Sequence, residues 1–510
     1  MAKKPKLFAA VVLGTQNVYL KIVEQRNLKE VEDTHYPVDI GSDIFSEKFI
    51  QGQTVKEIFE AIQAVINLMK DYDVTDYHFF ANQGFREAVN SEFVKEQIQE
   101  KFDVKVDWIS LSQESLYREQ SINTYMKNFP ELTKPGALLI DISAGSVELI
   151  FYKDSEFVFS RNLKLGPLRI YEDIYPLKLR ASDYVKVLKD YVNSKVIDFI
   201  RLLPQVGEIK NIVVMGSEIS ILDSIFNGGK AGNMEIKTKK FKDMYKEIAY
   251  SPDGYLMDRF NITADKVTQT MPIMVLIKRF LDYFKTKSLW VTDSELVDGI
   301  AVNAVQAPKN SLISKQRHSQ ITVAAHNLAE RYHVDEEHQN FIIQYSLKIF
   351  DRLKKAQNLD KDDRTLLEVS AIVADIGKFV NSYHHSVNSA YIIKHSDILG
   401  LSVDELKCVA GIVRNASLDT PFHDNVDVPS DARIKVAKLA AILRMATSLD
   451  ASHEQKVQSL KISLTKSNHI VFQVTSDDDI ELERWRFEQK GRFFESVFGL
   501  KPELKGRITL

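Results

Sequence analysis

The sequence has almost no cysteine and no long apolar run. Cys408 is the single cysteine among 510 residues, which excludes a framework of internal disulfides and indicates a reducing compartment. No apolar run reaches the roughly 18 residues that a membrane-spanning helix requires. The short run Leu7–Leu13 lacks the longer apolar core and the small-residue cleavage site of a signal peptide. We therefore predict a cytoplasmic protein that does not contact a membrane.

The sequence also lacks an excess of charge of one sign. Lys and Arg number 67 against 70 Asp and Glu, for a formal net charge of -3. This balance indicates no general attraction to nucleic acid, so a polyanion can bind only through a local basic groove. A hydrophobic fraction of 44% with 27% charged residues is typical of a globular protein. The length exceeds what one core supports, and roughly three to four domains are expected.

The first 305 or so residues alternate short apolar runs with helical patterns, which predicts an α/β fold. Leu7–Leu13 and Val18–Val23 flank a short turn, as the strands of a hairpin do. Ala137–Ile142 and Val147–Tyr152 repeat this arrangement. Two successive halves that each open with a strand, a small-residue turn and another strand suggest an internal duplication.

The pattern changes at about residue 312. Six helical patterns follow with few strand candidates between them, and after about 455 helices and strands are mixed. We therefore predict four domains: two α/β subdomains over 1–125 and 126–308, an all-α domain over 309–450, and a small α+β domain over 451–510.

The segment 139–149 carries the most informative candidate for chemistry. A buried strand ends near Asp141, a turn of four small residues (143–146) follows, and Glu148 lies on the returning strand. Small residues let backbone N–H groups point at an anion, and carboxylates hold a metal or orient water in phosphoanhydride hydrolysis. The alternative is an ordinary hairpin with a polar turn, since a small-residue turn alone is weak evidence.

The segment resembles a motif of the exopolyphosphatase and guanosine-pentaphosphate phosphatase family. That family reads Asp-Ile-Gly-Gly-Gly-Ser-Thr-Glu where this chain reads Asp141-Ile-Ser-Ala-Gly-Ser-Val-Glu148. Further segments look like the family's first phosphate turn, its Arg-Glu-Ala segment, its catalytic-glutamate segment and two later motifs: Val12-Leu-Gly-Thr-Gln-Asn17, Arg86-Glu-Ala88, Ile109-Ser-Leu-Ser-Gln-Glu-Ser115, Leu165-Gly-Pro-Leu-Arg169 and Leu296-Val-Asp-Gly-Ile300. Their order and spacing extend the resemblance over nearly the whole chain.

The resemblance implies a fold and an activity. The fold is a pair of duplicated, actin-like α/β domains of the ribonuclease H-like type, followed by an all-α domain similar to the HD phosphohydrolases and a small α+β domain. The active site lies in the cleft between the α/β domains. The implied activity is hydrolysis of the terminal phosphate of inorganic polyphosphate with Mg²⁺, by a protein that pairs as a homodimer.

The resemblance also assigns roles to individual residues. Glu114 is the general base on the attacking water, and Asp141 and Glu148 position the metal and that water. The residues expected to bind phosphate are Gly14, Thr15, Asn17, Arg86, Ser143, Gly145 and Ser146. Basic residues that can line the cleft, unless they are simply solvated, are Lys164, Arg169, Lys378, Lys394, Arg414, Arg444 and Lys456.

Several positions depart from the family pattern. Val12 replaces a carboxylate, Ser143 and Ala144 replace glycines, Gln113 replaces one of two adjacent glutamates, and Glu218 lies in a late turn where the family has threonine. If position 143 or 144 needs a positive φ, its side chain strains the turn. These changes leave two alternatives open: a catalytically degenerate regulator that binds polyphosphate or guanosine penta- and tetraphosphate, or a guanosine pentaphosphate phosphohydrolase.

The all-α domain departs from the HD pattern as well. An HD phosphohydrolase holds its metals with a His, a His-Asp pair and a distant Asp. Here His338 is present, the pair reads Ala374-Asp375, and the distant position is Thr447. With two of four ligands missing, we predict no metal site in this domain. We expect His384 and His385 to lie at the surface or to contact phosphate.

Overall fold

The computed structural model describes residues 5–201, 203, 207–230, 232–306, 311–396, 398–417, 427–465 and 468–508. The chain forms two compact units, Met1–Arg317 and His318–Leu510. The predicted domain boundary at 308/309 lies outside the described residues.

The first unit contains two sheets. The first sheet has the order β3-β2-β1-β4-β5, and the second has the order β10-β11-β9-β6-β7-β8. Their strands are β1 (Leu7–Leu13), β2 (Asn17–Glu24), β3 (Glu30–Pro37), β4 (Asp76–Ala81), β5 (Val106–Trp108), β6 (Ala137–Ile142), β7 (Val147–Lys153), β8 (Glu156–Leu163), β9 (Asn211–Met215), β10 (Met234–Lys237) and β11 (Ser288–Val291).

The two sheets repeat one topology. In the first, β1 pairs antiparallel with β2 and parallel with β4, and β2 pairs antiparallel with β3. In the second, β6 pairs antiparallel with β7 and parallel with β9, and β7 pairs antiparallel with β8. The duplication expected from the sequence is therefore present in the fold. We call β1–β5 the first half and β6–β11 the second half.

Helices cover both sheets because their apolar residues recur at helical spacing. In α2, for example, Ile58, Ile62 and Val65 are fully buried on one face. The helices of this unit are α1 (Ile40–Glu47), α2 (Gly52–Asp71), α3 (Gln83–Arg86), α4 (Ser91–Phe102), α5 (Leu111–Tyr125), α6 (Phe129–Thr133), α7 (Pro167–Lys178), α8 (Tyr184–Arg201), α9 (Ser220–Asn227), α10 (Thr238–Ala249), α11 (Asp253–Phe260), α12 (Ala264–Phe284) and α13 (Leu296–Gln306).

The second unit is helical with one small sheet, as the sequence predicts. Its three-stranded sheet has the order β12-β13-β14. The remaining elements are α14 (Ser311–Arg331), α15 (Glu336–Gln357), α16 (Lys361–Ile372), a 3₁₀ helix (Ile376–Phe379), α17 (His385–Lys394), α18 (Val403–Arg414), α19 (Arg433–Ser448), β12 (Ser459–Leu464), β13 (His469–Ser476), α20 (Glu481–Phe498) and β14 (Lys501–Ile508).

One core connects the sheet of the second unit to its helices. Leu443 of α19, Phe472 of β13 and Phe494 of α20 belong to the same buried cluster. The single cysteine, Cys408 of α18, is also buried in this cluster. Among the described residues, no helix is both long enough and apolar enough to cross a bilayer.

Candidate active site

Two equivalent hairpin turns bring the sequence-predicted residues together. In the first, the Gly14 amide donates to the Asn17 carbonyl at 2.9 Å between β1 and β2. In the second, Ser143 and Ser146 exchange backbone hydrogen bonds of 3.0 and 3.3 Å between β6 and β7. The Ser146 amide is therefore used within its own turn, so the hydroxyl is the polar group that Ser146 can offer to a ligand.

The penultimate residues of β1 and β6 correspond to each other but differ in chemistry. Val12 pairs with Tyr19 across β1 and β2, and Asp141 pairs with Glu148 across β6 and β7. Residues directly opposite each other in an antiparallel pair project from the same face of the sheet. The carboxylate pair therefore lies in the second half, while Val12 is buried in an apolar cluster that includes Ile109.

The second turn tolerates the loss of its glycines. Neither Ser143 nor Ala144 has a positive φ, so their side chains cause no backbone strain there. Ala144 is buried in the cluster that contains Phe45 and Leu168. The neighbouring position that requires glycine is Gly166, because a Cβ there would lie 2.2 Å from the Ala144 carbonyl oxygen.

Arg118 lies between two of the predicted catalytic carboxylates. Its Nη1 donates to Asp141 Oδ2 at 2.7 Å and lies 3.7 Å from Glu114 Oε2. All three side chains are at least nine-tenths buried. Low-dielectric surroundings strengthen such ion pairs, so Arg118 supplies a fixed positive charge at the centre of the site.

Glu114 has the properties of a base that works near neutral pH. Burial raises its pKa to about 7, although the attraction of Arg118 opposes the shift. Its Oε1 accepts the backbone N–H of Gln83 at 3.2 Å. The neighbouring Gln113 closes a capping box with Ser110 at the start of α5. Glutamine serves this cap as well as glutamate does, which gives a structural reason for the neutral residue.

Five of the residues predicted to be catalytic or to bind phosphate line one cavity, which we call the turn cavity. These residues are Thr15, Glu114, Ser143, Gly145 and Ser146. They come from both turns and from α5, so they converge from both halves of the unit. Asn82, whose side chain caps α3 at the Phe85 amide (2.9 Å), lies beside them.

Two basic residues at the turn cavity are held by an acid of the opposite half. Arg169 Nη2 donates to Glu87 Oε2 at 2.5 Å, and Lys164 Nζ lies 3.1 Å from Glu87 Oε1. The Nε of Arg169 donates to the Gly145 carbonyl at 2.8 Å, which fixes the second turn. Glu87 therefore connects the first half to the basic residues of the second, and these cations lower its pKa despite its burial.

A neighbouring cavity, the inner cavity, contains two acids with raised pKa values. Gly14, Thr15 and Arg118 line it together with Glu218 and Glu295. Burial, reinforced by nearby carboxylates, raises the pKa of Glu295 to about 7. Burial also raises the pKa of Glu218.

The carboxylate of Glu218 is occupied by neighbouring donors. It accepts the Ser217 hydroxyl at 3.1 Å. With its amide oriented toward this carboxylate, Gln16 donates to it at 2.9 Å. The acid of the late turn is thus hydrogen-bonded to the first hairpin turn.

Three predicted phosphate ligands do not line the turn cavity. Gly14 lies at the inner cavity. Asn17 donates its side-chain amide to the Tyr19 hydroxyl at 3.0 Å. The guanidinium of Arg86 lies over the ring of Trp108, 5.5 Å from its centroid.

Arg118 was not among the residues predicted from the sequence. It follows Glu114 by four positions on α5, and residues spaced in this way lie on the same face of a helix. This spacing could have predicted that Arg118 lies near Glu114. It does not indicate the second partner of Arg118, Asp141.

Sequence models of one family match most of the chain. The model described as the Ppx/GppA phosphatase family matches residues 20–307, more than half of the chain, and that of Ppx/GppA phosphatase, domain III, matches residues 321–490. The guanosine-5'-triphosphate,3'-diphosphate pyrophosphatase of Photobacterium profundum is 17% identical over 446 residues, covering 86% of this chain and 85% of the relative. Its counterpart from Pseudoalteromonas translucida is 18% identical over 459 residues, covering 88% and 89%.

Solved structures show the same fold. A Ppx/GppA family member of Aquifex aeolicus has a TM-score of 0.51 at 17% identity, and the match covers 60% of this chain and 99% of that chain. An exopolyphosphatase from Cytophaga hutchinsonii has a TM-score of 0.53 at 14% identity, with coverage of 59% and 98%. At these identities the likeness establishes the actin-like fold alone. On the evidence of the family models, this chain belongs to the Ppx/GppA phosphatase family.

Proposed function

We propose that this chain is an exopolyphosphatase that removes terminal phosphate from inorganic polyphosphate. Members of its family are phosphoanhydride hydrolases. The observation that carries the proposal is the turn cavity, where Glu114, with a pKa of about 7, adjoins the hydroxyls of two hairpin turns and two cations. A general base is most effective when its pKa lies near the working pH.

Five residues of the turn cavity have a role in this reaction. The Glu114 carboxylate accepts the proton of the attacking water, and a shorter polyphosphate anion leaves as the water oxygen bonds to phosphorus. Hydroxyls of Thr15, Ser143 and Ser146 donate hydrogen bonds to the terminal phosphate. Arg169 stabilises the negative charge that the transferring group carries, as guanidinium groups do toward phosphate.

The acids of the second half fit the Mg²⁺ that we propose for the reaction. Within the described residues, the buried Oδ1 of Asp141 accepts no hydrogen bond, and Glu148 is its cross-strand neighbour. The same part of the chain has no group of three or more metal-ligating side chains. Mg²⁺ commonly binds through one or two carboxylates together with substrate phosphates, so Asp141 and Glu148 would hold it. When bound, it would neutralise phosphate charge.

Phosphate release from long-chain polyphosphate tests the proposal. Glu114→Gln keeps the size of the side chain and the acceptor for the Gln83 amide but removes the base, so we expect a rate loss of about 10²–10⁴-fold. The control is Glu96→Gln, an exposed change on α4, which should leave the rate unchanged. Equal rates for wild type and Glu114→Gln would refute the assigned base.

A second candidate substrate comes from the curated relatives, which are named as guanosine-5'-triphosphate,3'-diphosphate pyrophosphatases. Among the described residues, the turn cavity is lined by small, polar and charged side chains and by one hydrophobic side chain, Leu111. We therefore favour the inorganic chain. A hydrolysis assay in which polyphosphate and guanosine pentaphosphate compete tests this choice of substrate. A strong preference for the nucleotide would reverse it.

A binding protein without turnover is the remaining alternative. It is favoured by Val12, an apolar residue where the family carries an acid, and by the ion pair that already occupies Asp141 Oδ2. Wild-type turnover that is lost on chelation of Mg²⁺ would exclude this alternative. Tight polyphosphate binding without phosphate release would support it.

We also propose that the protein is cytoplasmic, forms a homodimer and has an HD-like helical domain. The dimer is proposed from the family resemblance. Light scattering that gives a monomer mass at micromolar concentration would contradict it and leave the reaction unaffected.

A further inference from the structure

The second unit contains a cavity of about 180 Å³ whose lining is rich in basic side chains. Its cations and imidazoles are Lys378, Arg486, Lys490, His338, His385 and His453. The volume is far above the roughly 10–15 Å³ that a single water molecule requires. We call this space the helical-unit cavity, and every residue that lines it belongs to the second unit.

The four positions compared with HD metal ligands all line this cavity. They are His338, Ala374, Asp375 and Thr447. The methyl group of Ala374 cannot coordinate a metal. The Thr447 hydroxyl accepts a hydrogen bond from Lys490 Nζ at 2.6 Å. The described residues contain no metal-binding cluster of three or more ligands, and an ammonium group lies beside a position that a metal ligand would take. The side chains described at these four positions therefore do not fit the metal site of an HD phosphohydrolase.

Both described carboxylates of the cavity already have hydrogen-bond or ion-pair partners. Asp375 is 2.8 Å from Lys378 Nζ and 3.5 Å from His385 Nε2. Asp450 accepts His338 Nδ1 at 2.6 Å and the backbone N–H of Gln455 at 2.7 Å. Both acids have lowered pKa values despite their burial, through these same partners.

Two of the cations that line the cavity, Arg486 and Lys490, belong to α20. Among the described residues that line the cavity, three permanent cations face two carboxylates, which leaves one positive charge before any imidazole is protonated. Arg486 lies over the Trp485 ring at 4.8 Å, and Lys490 lies one helical turn further along. His453 stacks on His338 with centroids 3.7 Å apart. Burial, followed by the proximity of His338 and Lys378, lowers the pKa of His453.

We propose that the helical-unit cavity is a metal-independent binding site for a small phosphorylated anion. Guanidinium and ammonium groups supply several N–H donors and a positive charge, which is the combination that phosphate oxygens require. Arg486 and Lys490 contact the anion, and His385 supplies a further ring nitrogen. The site takes either a free oligophosphate or the diphosphate of a nucleotide, which share this chemistry.

Calorimetric titration of the full chain in EDTA tests the site. The probe is methylenediphosphonate, which cannot be hydrolysed at its bridging carbon. We expect Arg486→Gln and Lys490→Gln to weaken one binding event by at least about tenfold, since each removes charged hydrogen bonds. Arg492→Gln is the matched control, because it removes the same charge from an exposed position of α20 outside the cavity. It should change the affinity less than twofold.

Further titrations distinguish the possible ligands of the cavity. Titration with guanosine diphosphate distinguishes the two sources: a tighter nucleotide indicates a nucleotide site, and equal affinity indicates a site for the phosphates alone. Unchanged affinity in both cavity variants, with unfolding curves like the wild type, would overturn the proposal. So would Mn²⁺ binding that disappears in His338→Gln, since it would show that the cavity holds a metal.

Discussion

Replacing Glu114 with glutamine should stabilise the first unit by an amount that depends on pH. Burial raises the pKa of Glu114 from 4.5 to about 7. The folded protein therefore keeps a proton that the unfolded chain releases between these values. Across this window each pH unit lowers the free energy of unfolding by about 1.4 kcal/mol. Above about pH 7 both states are ionised, and the loss no longer grows.

The magnitude follows from the part of this window that an experiment can cover. An experiment from about pH 5.5 to 8.5 covers roughly 1.5 pH units of this window, from about 5.5 to 7. Over that range the free energy of unfolding of the wild type falls by about 2 kcal/mol, whereas that of Glu114→Gln lacks this decrease. Urea unfolding, followed through the fluorescence of Trp108 and Trp290, measures the difference at both pH values. Glu96→Gln, which is exposed, should follow the wild type. A difference between Glu114→Gln and wild type that does not change with pH would refute the buried, protonated carboxylate.

Two further predictions concern packing and charge in the same unit. Gly299→Ala should destabilise by about 3 kcal/mol or more, because its Cβ would lie 1.8 Å from the Tyr117 carbonyl oxygen; thermal unfolding checks this against Gly254→Ala, an open helical position where alanine should be neutral or stabilising. Arg118→Leu should cost about 3–5 kcal/mol by leaving Asp141 buried without its cation. The double variant with Asp141→Leu should recover most of this loss in urea unfolding, and a cost below about 1 kcal/mol for Arg118→Leu would show that the pair is not coupled.

The sequence predicted the buried strands β1, β6 and β7 but missed the edge strands β3 and β14. β1, β6 and β7 are nearly continuous apolar runs, and the predicted bounds agree with the structure within one residue. β3 lies at the edge of its sheet, and its Glu, Asp and His residues leave no apolar pattern to detect. β14 was missed as well, because Lys, Glu and Arg interrupt its apolar residues. Edge strands commonly carry charge, so the pairing of β3 and β14 becomes visible only in three dimensions.

Site residues were predictable where a single segment of the sequence contained the motif that identifies them. Thr15, Ser143 and Glu114 were found from local motifs, and the fold brings them to one cavity. Arg118 was not found, because its partner lies 23 positions away and the pairing depends on where α5 packs. The same limit applies to Glu87, whose ion pair with Arg169 joins residues 82 positions apart. The roles assigned to the site residues stay predictions until they are measured.

The buried thiol makes this protein suitable for distance spectroscopy. Burial, aided by nearby Asp404, raises the pKa of Cys408 to about 12, so almost no reactive thiolate exists at neutral pH. Maleimide dyes or spin labels will therefore react with cysteines introduced at exposed positions and leave the native thiol untouched. Val89 and Leu179 are 79% and 91% exposed and lie in different halves of the first unit. Labels at these two positions would report directly, as a change in distance, whether the cleft closes when polyphosphate is added.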